Sequence, residues 1–182
     1  MFGINFGNNA SSGSTAFEFG NALSFDGVND DVTFTSSVDK PALTSGFSFS
    51  MWVRFDSALG NEWILGSSTY ANNWFRIDSS LVLFRSASGG STTTLWAVPA
   101  FSTGTWYHIA VCRASGTLRL FIDGTSYYSG ATSKTYEIKQ GFWIGGSNIS
   151  SQDCNGWIDE FRISNVGRYT GNFTPSTTPF TN

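Results

Sequence analysis

Gly46-Phe47-Ser48-Phe49-Ser50-Met51-Trp52-Val53-Arg54-Phe55 alternates apolar and polar residues over its whole length. Successive side chains of a strand point to opposite faces, so Phe47, Phe49, Met51, Val53 and Phe55 share one face and Ser48, Ser50, Trp52 and Arg54 the other. The first face is core. The second sets a tryptophan beside an arginine, which makes it either a binding surface or a floor beneath a loop.

The same period recurs on both sides of this stretch. Ala22-Leu23-Ser24-Phe25, Asp31-Val32-Thr33-Phe34, Trp63-Ile64-Leu65, Trp74-Phe75-Arg76-Ile77, Leu81-Val82-Leu83-Phe84, Tyr107-His108-Ile109-Ala110-Val111 and Thr117-Leu118-Arg119-Leu120-Phe121-Ile122 are short, regularly spaced and separated by turn residues. That spacing predicts an antiparallel sandwich or barrel, and no segment carries a convincing helical period. Asp123-Gly124 and Ser115-Gly116 supply the residues that tight hairpin turns need, so Trp106 to Tyr128 reads as a three-stranded meander.

The 182 residues fit one domain with a true core. Aromatic residues reach 16% while charged residues are only 13%, about half of ordinary usage, so the surface is largely Ser, Thr, Asn and Gly. That surface suits an extracellular or virion setting. A net charge of −3 leaves no basic stripe for phosphates and argues against nucleic acid, and no apolar run reaches the ~20 residues of a membrane span. The opening Met1 to Asn9 lacks the basic flank and apolar stretch of a secretory signal, so an extracellular role implies another exit, such as cell lysis. Cys112 extends an apolar strand and Cys154 sits in a polar turn; reduced thiols are the expectation. Residues 1–16, rich in Gly, Asn and Ser, read as a flexible N-terminal arm, 17–170 as the β-sandwich, and 171–182, with two prolines, as an extended C-terminal tail.

Leu23 to Val32, Phe49 to Val53, Trp106 to Ala110, Leu120 to Gly124 and Gly156 to Ile163 follow in the order seen in laminin-G-like domains of the concanavalin-A-like lectin/glucanase superfamily, which this chain resembles over residues 17–170. The resemblance implies an all-β, jelly-roll β-sandwich of two antiparallel sheets. Phe161-Arg162-Ile163-Ser164-Asn165-Val166-Gly167-Arg168-Tyr169-Thr170-Gly171-Asn172-Phe173-Thr174-Pro175, with Pro179-Phe180, is similar to the ending of such domains in virion structural proteins of tailed bacteriophages. It implies a capsid decoration or a head or tail fibre component on the virion surface. The partners would be other virion proteins and a host cell-surface glycan; symmetric oligomers are common in such settings, and a homotrimer is the expectation.

Glycoside hydrolysis needs two carboxylates flanking the bond. Glu18, Glu62, Glu137 and Glu160 form no such cluster, and on a regular strand Asp159 and Glu160 point to opposite faces, so catalysis is not expected. The single histidine, His108, lies in a strand without a nucleophile elbow and reads as a packed residue hydrogen-bonded within the sheet. Calcium takes six to eight oxygens, and the resemblance implies an ion where loops meet. Asp26, Asn29, Asp30 and Asp31 early in the chain, with Asp153, Asn155 and Asp159 near its end, are the candidates, Asp26 and Asp159 foremost. Both also suit the capping of backbone amides in turns. For a sugar, Trp63, Tyr70, Asn72, Asn73, Trp74 and Arg76 form a plausible lectin-like loop, extended across the sheet by Trp52 and Arg54, unless these tryptophans pack against neighbouring loops. The sequons at Asn9, Asn148 and Asn172 read as chance matches in so Asn- and Ser-rich a chain.

Overall fold

In a computed structural model the described residues are 2–3, 22–34, 43, 45–67, 74–86, 92–133, 136, 142–146 and 153–179. They form thirteen strands and no helix: β1 (Phe2–Gly3), β2 (Leu23–Asp26), β3 (Val32–Phe34), β4 (Phe47–Phe55), β5 (Asn61–Ser67), β6 (Trp74–Asp78), β7 (Leu81–Ser86), β8 (Thr92–Ala97), β9 (Trp106–Ala114), β10 (Thr117–Ile122), β11 (Thr125–Ala131), β12 (Phe142–Ile144) and β13 (Asn155–Ser164). The first sheet runs β1-β13-β4-β9-β10-β11, with β2 also on β13, and the second runs β3-β12-β5-β6-β7-β8. All pairings are antiparallel, as the sandwich reading requires.

The alternation of β4 is realised as read. Phe47, Phe49, Met51, Val53 and Phe55 are at most 1% exposed and join Ile64, Leu65, Phe75, Ile77, Val82, Ile109, Val111, Leu120, Ile158, Phe161 and Ile163 in one core between the sheets. Edge-on ring contacts link Phe47, Phe49 and Tyr136 within it. Asp123 and Gly124 both have positive φ (49° and 75°), as do Ser115 and Gly116, so β9, β10 and β11 form the expected meander through two-residue turns.

Of the two alternatives for the outer face of β4, a floor beneath another segment holds at Ser48: residues 165–175 run across it as a strap, Ser48 Oγ donating to the Val166 carbonyl (2.5 Å) and accepting from the Arg168 N–H (3.0 Å), and Ser48 and Ser50 are both buried. Three readings are corrected. The flat pleat assumed for Asp159-Glu160 breaks at a bulge. Glu160 takes φ 48° and the core positions Ile158 and Phe161 stand three residues apart instead of two, so the argument that the acids face opposite ways fails. Cys154 is sealed rather than in an open polar turn, because its N–H bonds the Gly145 carbonyl (2.8 Å) and draws it inward. Phe2–Gly3, read as part of a free arm, pair with Ile163 and Arg162 as an edge strand; the rest of 1–16 lies outside the described residues. Both cysteines are free thiols and buried.

Candidate functional site

The antiparallel register lines up three rows on the outer face of the first sheet. Trp157, Arg54 and Trp106 form the first, Asp159, Trp52 and His108 the second, Arg162, Ser50 and Ala110 the third, with Phe121 beside Ala110. Strand alternation forces these side chains to the face opposite the core.

The first row is open. Trp52, Arg54, Trp106 and Trp157 are all partly exposed, and Asp56 at the end of β4 is exposed. The Arg54 guanidinium lies 5.2 Å from the Trp157 ring centre and 5.7 Å from that of Trp106, within range of both π faces. Asp56 ties the row together. It accepts from Arg54 Nε (3.0 Å) and Nη2 (3.4 Å) and from the Trp157 indole N–H (2.7 Å). The close approach of β13 to β4 depends on Gly156, whose φ is 156° and where a Cβ would fall 2.0 Å from the Arg54 carbonyl. The row therefore offers aromatic surface, a planar donor and a carboxylate acceptor in one patch, the mixture that suits a hydroxyl-rich ligand with apolar faces.

The third row is closed. Tyr169 and Phe173 of the strap stack at 3.9 Å and pack on Ala110, Cys112 and Phe121. Gly124 is what lets the strap dock: the Phe173 N–H bonds its carbonyl (3.0 Å), and a Cβ there would lie 1.8 Å from the Phe173 oxygen. The Ser126 N–H donates to Asn172 Oδ1 (2.9 Å), and Arg162 Nη2 to the Tyr169 hydroxyl (3.0 Å).

Between them, the second row sets two buried polar side chains, His108 and Asp159, on either side of the partly exposed Trp52. His108 is 1% exposed and touches Trp52 (5.3 Å between ring centres), Phe173 (5.5 Å) and Tyr169 (6.4 Å). The expectation of a hydrogen-bonded histidine is corrected, for neither ring nitrogen has a hydrogen-bond partner among the described residues. Burial, then the Arg162 charge, lowers its pKa to about 4. Asp159, 2% exposed, accepts the Glu160 N–H on Oδ1 (2.7 Å) while Oδ2 has no partner; burial, partly opposed by that bond, lifts its pKa to about 6.

The residues expected in the lectin-like loop lie on the second sheet or outside the described residues. Trp74 and Arg76 sit on β6, with the Arg76 guanidinium 5.8 Å from the Trp74 ring, and Trp74 is 4% exposed, so its ring presents no open stacking face. Trp63 lies in β5 opposite Arg76, its side chain outside the described residues, as are Tyr70, Asn72 and Asn73 altogether. The extension of this loop by Trp52 and Arg54 is overturned. One core separates the two sheets, so the outer faces of β4 and β6 are on opposite sides of the molecule.

Asp26 lies opposite Asn155 in the register, four residues from Asp159 along β13, a backbone separation of about 13 Å that one ion cannot bridge. Asp26 Oδ1 instead caps the Val28 N–H (2.9 Å). The early turn and Asp153 converge at Gly146, where Asp30 Oδ2 accepts the Asp26 N–H, Asp31 accepts from the Thr33 hydroxyl, and nearby Glu62 accepts the Gly60 and Asn155 N–H groups. Among the described residues no three His, Cys, Asp or Glu side chains are grouped to hold a metal. Nor do Asp159 and Glu160 flank a cleft, being 2% and 4% exposed. Among the described residues no helix is long and apolar enough to cross a membrane.

The family model Laminin_G_3, of the concanavalin A-like lectin/glucanases superfamily, matches residues 26–168. No curated protein is detectably similar in sequence. Among solved structures, a candidate carbohydrate binding protein from Bacteroides ovatus aligns with TM-score 0.61 and 17% identity over 82% of this chain and 46% of its own. Domain 4 of AbnA, a GH43 extracellular arabinanase from Geobacillus stearothermophilus in complex with arabinotriose, aligns with TM-score 0.57 and 22% identity over 96% and 85%. The binding domain of Paraclostridial Mosquitocidal Protein 1 aligns with TM-score 0.64 and 14% identity over 83% and 41%. This chain thus spans less than half of the first and third, and all three identities speak to the fold alone.

Proposed function

The chain belongs to the concanavalin A-like lectin/glucanases superfamily, and on that premise we propose that it is a non-enzymatic glycan-binding module that reads sugars on the open row of Trp157, Arg54 and Trp106. The observation that carries the reading is that row itself: two partly exposed indoles flank a guanidinium, and Asp56 holds Arg54 and Trp157 in place. The fold hosts many functions, so the argument rests on these residues. It is in keeping with a domain of similar fold solved in complex with arabinotriose. The test is a glycan array with wild type and Trp157→Ala. A ring acting as a binding anchor predicts a loss of about thirtyfold or more in affinity with melting temperature unchanged. Undiminished binding by the variant, or no glycan bound by wild type, refutes it.

The setting proposed with this activity is the surface of a tailed-bacteriophage virion, as a capsid decoration or fibre component, in homotrimers that serve assembly, stabilisation or host attachment. Its support is the likeness of residues 161–175 to virion-protein endings and a composition poor in charge. Co-sedimentation with particles and a trimeric mass in solution are the expected results. A soluble monomer never found on particles favours a free, extracellular lectin-like module instead.

A further inference from the structure

Three residues of the outer face, Ser50, His108 and Asp159, each at most 2% exposed, bear buried polar atoms without hydrogen-bond partners among the described residues: Ser50 Oγ, both imidazole nitrogens of His108 and Asp159 Oδ2. They are grouped. Asp159 and His108 flank Trp52 across β13 and β9, and Ser50 precedes Trp52 by two residues on the same face of β4. Buried polar groups are almost always paired, so such a concentration asks what completes it.

The open row lies one step along the same strands, since Trp157, Arg54 and Trp106 are each two residues from Asp159, Trp52 and His108. On the other side the cover over His108 is the strap, through Phe173 and Tyr169. We infer that Ser50, His108 and Asp159 form a second, covered subsite around Trp52, continuous with the open row, which takes the hydroxyls of a neutral sugar when the strap lifts. The inference rests on the glycan-binding reading above and deepens it.

The chemistry of the group selects the ligand class. A serine hydroxyl both donates and accepts, a neutral imidazole has one nitrogen of each kind, and an ionised carboxylate only accepts. Hydroxyl groups, which donate and accept, complement all three. A sugar carboxylate would face Asp159, and Arg162 Nη2, which could offset that repulsion, donates to the Tyr169 hydroxyl for as long as the Tyr169 end of the strap stays docked. The strap is held to the body by two stacked rings and a short set of hydrogen bonds, of which the Phe173 bond to Gly124 and the Asn172 bond to Ser126 lie at its far end. Release from that end uncovers His108 first.

His108 is the only histidine, so its imidazole resonances need no separation from others. Wild-type protein is titrated with neutral oligosaccharides and with uronic-acid-containing ones drawn from the array, and the His108 signals are followed by NMR. The expected result is binding of neutral sugars that Trp157→Ala abolishes and that shifts the His108 signals. Phe173→Ala, with the cover loosened, should bind the same sugars about tenfold more tightly, because less of the binding energy goes into opening. His108→Phe in that background should cancel the gain. Binding that depends on Trp157 but leaves the His108 signals unmoved overturns the covered subsite and leaves the glycan-binding reading standing. Preference for acidic sugars overturns the ligand class, and no binding of any glycan removes both.

Discussion

Asp159→Asn should stabilise the protein at pH 7 and do nothing at pH 4. The Asp159 carboxyl is buried with one oxygen unpartnered, and its pKa stands at about 6 against an ordinary 3.8. A raised carboxyl is one the fold prefers protonated. Its contribution is favourable in acid and is lost as pH rises through about 6, and at about 1.4 kcal/mol per pH unit the folded state carries a cost of roughly 3 kcal/mol at neutral pH. Asparagine keeps the acceptor for the Glu160 N–H and removes the charge, so the variant gains up to that amount at pH 7 and matches wild type below pH 4. His108 has the opposite sign. Its pKa is lowered from 6.5 to about 4, so its contribution is full above 6.5 and is lost as pH falls through 4, again roughly 3 kcal/mol in all. In wild type the two nearly cancel between pH 7 and 4; in Asp159→Asn only the histidine remains, and stability should fall by about that amount. Glu62 and Asp123, also raised by burial, favour acid equally in both proteins and drop out of the difference. Urea unfolding of both proteins at half-unit steps from pH 7 to 4 measures it. Curves that run parallel refute the burial of a charged Asp159.

Gly124→Ala should cost about 1 to 3 kcal/mol, from the positive φ it imposes on alanine and from the displaced Phe173 carbonyl, read as a fall in melting temperature of several degrees. Phe49→Ala, emptying a site 1% exposed among core rings, should cost about 3 to 5 kcal/mol in chemical denaturation. Calcium or EDTA should leave the melting temperature unchanged, because an ion held only by the folded form would raise it and Asp26 and Asp159 cannot share one. Cys112 and Cys154, both buried with their thiol pKa raised by desolvation, should resist a thiol reagent at pH 8 until denaturant is added.

The sandwich was legible because each of its signals is local. Alternation from Phe47 to Phe55 put five side chains into the core, and Asp123-Gly124 and Ser115-Gly116 marked two turns; none of these readings needs to know what lies across the sheet. Three features lay beyond what the local period carries. Period puts Ser48 on a face that is either surface or floor, and the strap, more than a hundred residues later, makes it floor there. Cys154 looks like a turn residue until Gly145 draws it in. The bulge at Glu160 is invisible in residue type, since glutamate has no preference for a positive φ; its trace in the sequence is the three-residue step from Ile158 to Phe161.

The candidate site shows the same division more sharply. Trp52 and Arg54 were readable as a pair facing away from the core, yet their partners come from β9 and β13, and nothing in the sequence near Arg54 says that Trp106 and Trp157 will stand beside it. Strand order is a property of the whole chain, so the sequence joins Trp52 and Arg54 to the loop from Trp63 to Arg76 as one surface, although β4 and β6 lie in different sheets. The signal available was Gly156. A glycine inside a strand marks close backbone approach, and this one precedes an outward-facing tryptophan. What then divides surface from floor along one alternating strand is how far the strap reaches: the rings of Tyr169 and Phe173 cover the face beside Ser50 and His108, and Arg54 lies beyond them. Recognition on this face is therefore governed by where the C-terminal segment docks as much as by the strand that carries the tryptophan.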